Sequence, residues 1–280
     1  TNSLEQYIEK YNVSGDDVKQ VDILSNIILK ETLSKCSLIR AIGSEEEDEI
    51  IQTQHKQAPY LICYDPLDGS SNVGVNISTG TIFGVYKYDE YGNINSGNDT
   101  VLAGYCLYSA ATQYVIADSN KVSMYQLKTN NTISSECESF EKIIDNIKIP
   151  KKGMTYSVNE SNREKWLDSR YQTLISRLRE KNYSSRWVAT LVADGHRTLL
   201  KGGILAYPGN KTNPTGKIRL LYEAYPFAFI FEKAGGLASD GFIRLLDISY
   251  PRDKLHFKTP IIFSSPYEML IFDTIKEATH

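Results

Sequence analysis

The octapeptide Asp65-Pro66-Leu67-Asp68-Gly69-Ser70-Ser71-Asn72 sets two carboxylates around a proline, directly after the apolar run Tyr60-Leu61-Ile62-Cys63-Tyr64. Proline fixes one backbone dihedral and removes a donor. The turn therefore holds Asp65 and Asp68 in a set relation and leaves the Leu67 carbonyl free as a third oxygen ligand. Such a donor set suits Mg²⁺, a hard ion that takes oxygen ligands in near-octahedral geometry and shares its shell with waters and phosphates. The backbone amides of Gly69 and Ser70 can face an anion, as N–H nests do. The competing reading of the stretch taken alone is an Asx-rich surface turn.

Further acidic positions bear on that choice. Asp16 and Asp22 belong to a helix predicted after Ser14-Gly15-Asp16, where Val18, Val21, Leu24, Ile28 and Leu29 recur at three- and four-residue spacing behind a capping-type Asp. Glu45 and Glu46 follow a short strand at 37–42. Glu223 lies in the run 218–233, apolar nearly all round and expected as one buried helix. Burying an unpaired Glu costs several kcal/mol, roughly, unless a cation or hydrogen bonds compensate. If these carboxylates converge, two or three Mg²⁺ or Mn²⁺ ions are implied. A basic and hydroxyl-rich set complements them: Arg186 beside Trp187, Tyr207-Pro208-Gly209-Asn210-Lys211, and Lys217-Ile218-Arg219. Arg219, four residues before Glu223, is expected on the same helical face, where it could hold a phosphate against the same ions.

The elements that must position these groups read as strand-rich first and mixed later. Strands are expected at 60–64, 79–88, 101–109, 112–117 and 122–127. The texture changes near Ile149-Pro150-Lys151-Lys152-Gly153, which divides the chain into lobes 1–150 and 151–280. A long polar helix is expected at 162–181, and another at 192–201 ended by Gly202-Gly203.

At 280 residues, with 41% apolar and 23% charged residues, the chain has the composition of a globular protein with a substantial core. A net charge of −3 gives no footprint for nucleic acid. No apolar run of ~18 residues suggests a membrane span. Thr1-Asn2-Ser3-Leu4 lacks the halves of a signal peptide and an initiator Met, so a trimmed or processed chain is expected. Cys36, Cys63, Cys106 and Cys137 are widely spaced, which argues for reduced thiols in a cytosol-like compartment and against structural zinc. Neither a Gly-x-x-x-x-Gly-Lys-Ser/Thr loop nor a Gly-x-Ser-x-Gly elbow occurs. His196 reads as a satisfied structural histidine, and His55, His256 and His280 as surface residues.

Asp65 to Asn72, Gly80-Thr81-Ile82-Phe83-Gly84-Val85-Tyr86, Ala103-Gly104-Tyr105, Tyr156-Ser157-Val158-Asn159-Glu160, Val192-Ala193-Asp194-Gly195-His196-Arg197-Thr198 and Lys217-Ile218-Arg219-Leu220-Leu221-Tyr222-Glu223 together resemble the fructose-1,6-bisphosphatase family in order and spacing. The resemblance covers nearly the whole chain. It implies an α/β fold, a layered α/β/α/β/α sandwich of two packed lobes, the first binding metal and lacking N-terminal helices of allosteric members, the second binding sugar phosphate. It also implies Mg²⁺-dependent hydrolysis of the 1-phosphate of fructose 1,6-bisphosphate in gluconeogenesis, in the cytoplasm, by a homotetramer. Glu45, Asp65, the Leu67 carbonyl, Asp68 and Glu223 match the family's metal ligands, with Asp16 near a third ion. Asp22 and Glu46 match the pair that orients and deprotonates the attacking water. Arg219 and the amides at Gly69, Ser70 and Ser71 face the leaving phosphate. Asn159, Tyr207, Lys217 and, from a neighbouring subunit, Arg186 match the grip on the distal 6-phosphate.

Trp187 stands where the family usually has Tyr, and Asn162 where many members have another phosphate-binding Tyr. Pro59-Tyr60 replaces a Lys-Tyr pair used in AMP control, so no AMP inhibition of the familiar kind is expected; the Cys-bearing redox loop of plastid members does not occur in the sequence, so no thioredoxin control is expected. Sedoheptulose 1,7-bisphosphatase or another sugar or inositol phosphatase is the alternative within enzymes. An inactive regulatory or scaffolding relative is the alternative outside them, disfavoured by intact Asp22, Glu46, Asp65, Asp68 and Glu223.

Overall fold

The computed structural model describes residues 17–128, 139–252 and 254–276. Asp16, Cys137 and His280 lie outside them. The first half forms helix α1 (Asp17–Leu33) and strands β1 (Ile39–Ser44), β2 (Ile51–Gln52), β3 (Tyr60–Asp68), β4 (Thr79–Lys87), β5 (Thr100–Tyr108), β6 (Gln113–Ala117), β7 (Val122–Leu127) and β8 (Phe140–Ile144). These strands make one eight-stranded sheet in the order β2-β1-β3-β4-β5-β6-β7-β8, antiparallel except for the β1–β3 pair. The second half supplies β9 (Thr155–Ser157), α2 (Arg170–Glu180), β10 (Ser184–Ser185), α3 (Leu191–Lys201), β11 (Ile204–Tyr207), β12 (Ile218–Arg219), α4 (Tyr225–Lys233), β13 (Leu237–Ser239), β14 (Lys258–Thr259), β15 (Ile261–Ser264) and α5 (Pro266–Asp273). Its main sheet runs β10-β9-β11-β15-β13, and β12 pairs with β14 apart from it.

The layers follow from which faces are apolar. Helix α1 covers the outer face of the large sheet, where Leu29 and Leu33 pack on Ile42, Ile62 and Tyr64. Helices α3 and α4 lie between the sheets, and α2 and α5 cover the far face of the second sheet through Tyr171, Leu174, Leu178 and Phe272. The order is thus α/β/α/β/α, as expected. An aromatic column crosses the middle layer. Tyr105 of β5 stacks on Phe227 of α4 at 5.1 Å, and Phe227 meets Phe263 of β15 at 5.9 Å. Each such ring buries a large apolar area, and offset pairs add ~0.5–1.5 kcal/mol. The column fixes α4 between the two sheets.

Several local expectations are corrected. The apolar stripe of α1 is only partly covered: Val21 and Ile28 are exposed. The polar helix expected at 162–181 is two pieces, a 3₁₀ turn Glu160–Lys165 and α2. Between them Trp166 is buried and forms a bridge with Asn210, Leu167 N–H donates to the Gly209 carbonyl, and Asp168 Oδ1 accepts the Arg170 N–H at 2.8 Å. Tertiary pairing of these backbone groups overrides the helical pattern. The run 218–233 is likewise not one helix. Ile218 and Arg219 are extended, Leu220–Ala224 form a wide π turn, and α4 begins only at Tyr225. Pro226 has no N–H to give an upstream carbonyl and its ring would clash there, so it fits the first turn of a helix and not the interior.

Candidate active site

Strand β3 ends in the octapeptide, and the two aspartates lie within the strand. Asp65 faces Ile82 of β4 and Asp68 faces Gly80, so three steps on one strand oppose two on the other. This bulge is where Pro66 is tolerated, since it spares the missing ladder bond. Asp65 Oδ1 accepts the Leu67 N–H at 2.9 Å, and the Pro66 carbonyl accepts from Thr81 Oγ1 at 2.8 Å. The bulge aims both carboxylates to one side. Beyond it, Gly69 takes φ 78 and lies so close to Thr190 that a Cβ would meet Thr190 Cγ2 at 2.0 Å. Only glycine fits there. The 3₁₀ turn Ser70–Val75 follows.

Glu223 arrives from the other half of the chain. The π turn ahead of α4 brings it against β3, and carboxylate oxygens of Asp65, Asp68 and Glu223 lie within 4.8 Å of one another, all three residues buried. Burial and mutual repulsion push Asp65 well above the usual carboxylate range, Asp68 up to about 7 and Glu223 up to about 8. Two features resist that rise. The Leu191 and Val192 amides at the start of α3 hydrogen-bond Asp68, Val192 N–H at 2.6 Å from Oδ2, and Arg219 N–H donates to Glu223 Oε2 at 2.6 Å. Three buried carboxylates with oxygen donors only fit a hard divalent cation, which would return them to the ionised form.

Arg219 is not on a helical face shared with Glu223. It is extended, and its guanidinium spans to Glu45 Oε1 at 2.5 Å and Glu223 Oε2 at 3.8 Å. Glu45 and Arg219 thus close the rim of a pocket of about 180 Å³, lined also by Asp65, Leu67, Asp68, Gly69, Ser70, Ser71, Ala189, Tyr207, Lys217 and Glu223. Asp22 faces this rim from α1. Its carboxyl is pushed up to about 6 by burial and by Glu46 and Glu45, while a hydrogen bond from Ser70 pulls the other way. Glu46 itself is exposed.

A second pocket of about 240 Å³ adjoins the first. Asn159, Asn162, Trp166, Trp187, Ala189, Ala206, Tyr207, Pro208, Asn210, Asn213 and Lys217 line it. Ala189, Tyr207 and Lys217 belong to both pockets. Trp187 packs on Tyr207 with ring centroids 4.9 Å apart. Of the expected distal set, Arg186 lines neither pocket; it is exposed and bonds the Ser185 carbonyl at 2.8 Å.

His196 and His256 fare differently from one another. His196 Nδ1 meets the Tyr105 hydroxyl at 2.9 Å, and burial lowers its pKa to about 4, which fits a structural role. His256, expected as a plain surface residue, is exposed but joined at both nitrogens, to the Tyr222 hydroxyl at 2.7 Å and the Glu47 carbonyl at 3.0 Å. It ties the acidic loop to the π turn that carries Glu223. Also missed were Asn213, and the Leu191 and Val192 amides. A cue existed for the amides in Thr190 ahead of an apolar-periodic helix, since helix N-termini offer free donors.

Two family models match the chain, the N-terminal domain of fructose-1-6-bisphosphatase over residues 7–135 and its C-terminal domain over 149–277. The chain belongs to the fructose-1,6-bisphosphatase family. A class 1 fructose-1,6-bisphosphatase of Sulfurihydrogenibium sp. is 42% identical over 264 residues, covering 93% of this chain and 79% of the relative. Fructose-1,6-bisphosphatase 1 of Bos taurus is 41% identical over 276 residues, with 93% and 78% covered. Among solved structures, the holo form of the Leishmania major enzyme superposes with a TM-score of 0.82 at 38% identity, covering 90% of this chain and 79% of that one. Its apo form gives 0.83 at 37%, covering 97% and 88%. The fold assigned to the family from sequence is the fold found, and the chain is a phosphatase.

Proposed function

We propose that the paired pockets divide the family's reaction, hydrolysis of the 1-phosphate of fructose 1,6-bisphosphate to fructose 6-phosphate and phosphate in gluconeogenesis. The observation that carries this division is the shared wall of Ala189, Tyr207 and Lys217. A pocket of buried carboxylates on one side and one of amides, rings and an ammonium on the other fits a ligand with a phosphate at each end.

Asp65, Asp68, Glu223, Glu45 and the Leu67 carbonyl would hold divalent ions, two or three of them, and Mg²⁺ or Mn²⁺ both suit oxygen donors; Asp16, expected near a third ion, lies outside the described residues. When bound, the ions neutralise the phosphate ester and make an attacking water more acidic. Asp22, with Glu46 beside it, takes a proton from that water as it attacks phosphorus. Gly69, Ser70 and Ser71 present amides and hydroxyls to the phosphoryl oxygens, and Arg219 offsets their growing charge as the bond to the C1 oxygen breaks and that oxygen takes a proton from solvent water. Asn159, Tyr207 and Lys217 hold the 6-phosphate, Trp187 orients the ring stack beside it, and this grip places the ester over the carboxylates.

Arg186 is exposed and lines neither pocket of its own site, which suits a homotetramer in which it reaches a neighbouring one. Residues 1–150 then act as the metal-binding lobe and 151–280 as the sugar-phosphate lobe, with Glu223 crossing over. Cys36, Cys63 and Cys106 are free thiols, in keeping with a cytoplasmic enzyme. Among the described residues no helix is long and apolar enough to cross a membrane, and no surface feature calls for nucleic acid.

Phosphate release from fructose 1,6-bisphosphate, sedoheptulose 1,7-bisphosphate and inositol phosphates, each with Mg²⁺ and with chelator, tests the reading. Mg²⁺-dependent turnover should favour the fructose ester. Equal rates on inositol phosphates would remove the role given to the distal pocket.

A further inference from the structure

The segment 186–192 forms the partition between the two pockets. Trp187 lines the distal one, Ala189 lines both, and the Leu191 and Val192 amides hold Asp68. Its own sequence does not dictate its shape. Ala189 sits at φ 71, a left-handed conformation that crowds the Cβ of an L-residue and persists only where its surroundings impose it.

What imposes it lies behind the partition, in side chains that line neither pocket. Asp194, 0% exposed, accepts the Val188 N–H at 3.1 Å on each oxygen and the Ala189 N–H at 3.0 Å on Oδ2. Arg197, one helical turn on, donates to Asp194 Oδ1 at 2.5 Å, to Ser157 Oγ and to the Arg186 carbonyl at 3.0 Å. The backbone at 186, 188 and 189 is therefore clamped to α3, the same helix whose first amides bind Asp68. One rigid helix thus references both the distal wall and a carboxylate of the metal cluster.

We propose that Asp194 and Arg197 are positioning residues that set the distance between the distal pocket and the carboxylate cluster, and so the preference for a sugar bisphosphate over a sugar carrying the 1-phosphate alone. The proposal rests on the two-pocket reading above. A clamp that acts on spacing penalises a substrate gripped at both ends more than one held only over the metal ligands.

The test compares kcat/KM on fructose 1,6-bisphosphate and on fructose 1-phosphate, with calorimetric binding of fructose 6-phosphate as a readout apart from turnover. Asp194→Asn keeps the volume but turns one acceptor into a donor. It is expected to shrink the preference for the bisphosphate at least tenfold and to weaken fructose 6-phosphate binding at least fivefold. Arg197→Lys keeps the ion pair and loses the reach to the Arg186 carbonyl, and is expected to shrink the preference at least threefold; it decides the matter should Asp194→Asn fail to fold. Loss of both activities by the same factor, or an unchanged preference, would overturn the proposal. A parent enzyme with no preference for the bisphosphate would instead remove the two-pocket reading, and the proposal with it.

Discussion

Val192 N–H donates to Asp68 Oδ2 at 2.6 Å, joining residues 124 positions apart in the chain. This bond seats the free amides of α3 on a carboxylate of the β3 bulge. It binds the halves of the protein at the buried carboxylate cluster, and it stabilises the ionised form of Asp68 that a cation would need.

Asp68 should be needed for chemistry and costly for the metal-free fold. Asp68→Asn is expected to lower kcat at least a hundredfold and weaken Mg²⁺ binding measured by calorimetry. In chelator at pH 8 the same variant should melt above the parent, by roughly 2–4 °C for each kcal/mol recovered. Retained turnover would remove Asp68 from the metal site.

The metal-free protein should lose stability as pH rises. The carboxyls of Asp68, at about 7, and Glu223, at about 8, are raised above their ordinary 3.8 and 4.5, so the folded state holds more protons across that window. Their contribution is full below about pH 4 and is lost progressively up to about pH 8. Thermal melts in chelator between pH 5 and 9, compared with an Asp68→Asn/Glu223→Gln variant, should show the difference narrowing on the acidic side. Added Mg²⁺ should flatten the parent's profile, because a ligand that binds only the folded state stabilises it by mass action.

Asp22 should set the acidic limb of the rate profile. Its carboxyl is raised to about 6 without metal, and nearby cations move it down from there. As a proton acceptor it must be ionised, so kcat/KM should fall with acidity below a limb at or under pH 6. Asp22→Asn should cut kcat by about 10²–10⁴ and abolish that limb. A variant that keeps the limb would assign it to another group.

Trp187 should act on binding more than on chemistry. Trp187→Ala removes the ring that packs on Tyr207 and is expected to raise KM for the bisphosphate several-fold while kcat changes less than threefold. Trp187→Tyr should restore most of the loss. A fall in kcat with unchanged KM would contradict the distal placement.

Phe227 should be among the costliest core positions. It lies at 0% exposure between Tyr105 and Phe263, and Phe227→Ala should cost about 3–5 kcal/mol. Chemical denaturation reads that directly. Because α4 carries the turn ahead of it, Mg²⁺ affinity should fall too.

The residue types of the site and many of the elements can be read along the chain. Asp65 and Asp68 were legible as two carboxylates set around a proline at the end of an apolar run, Glu223 because a carboxylate amid apolar neighbours demands compensation, and β4 to β7 because β-branched and aromatic residues suit a pleated surface. Order and spacing of the motifs sufficed for the family. What lay between took its form from long-range packing. Arg219 is extended and not helical because β12 pairs with β14, and Pro226, which suits only the first turn of a helix, marks where α4 begins. The 162–181 stretch breaks where Trp166 finds a pocket and Asn210 a backbone partner. The amides of Leu191 and Val192, the left-handed Ala189 and the clamp of Asp194 and Arg197 carry little local signal. Their roles depend on groups far away in sequence meeting in one buried, low-dielectric place, where hydrogen-bond partners are chosen by packing and not by neighbours along the chain.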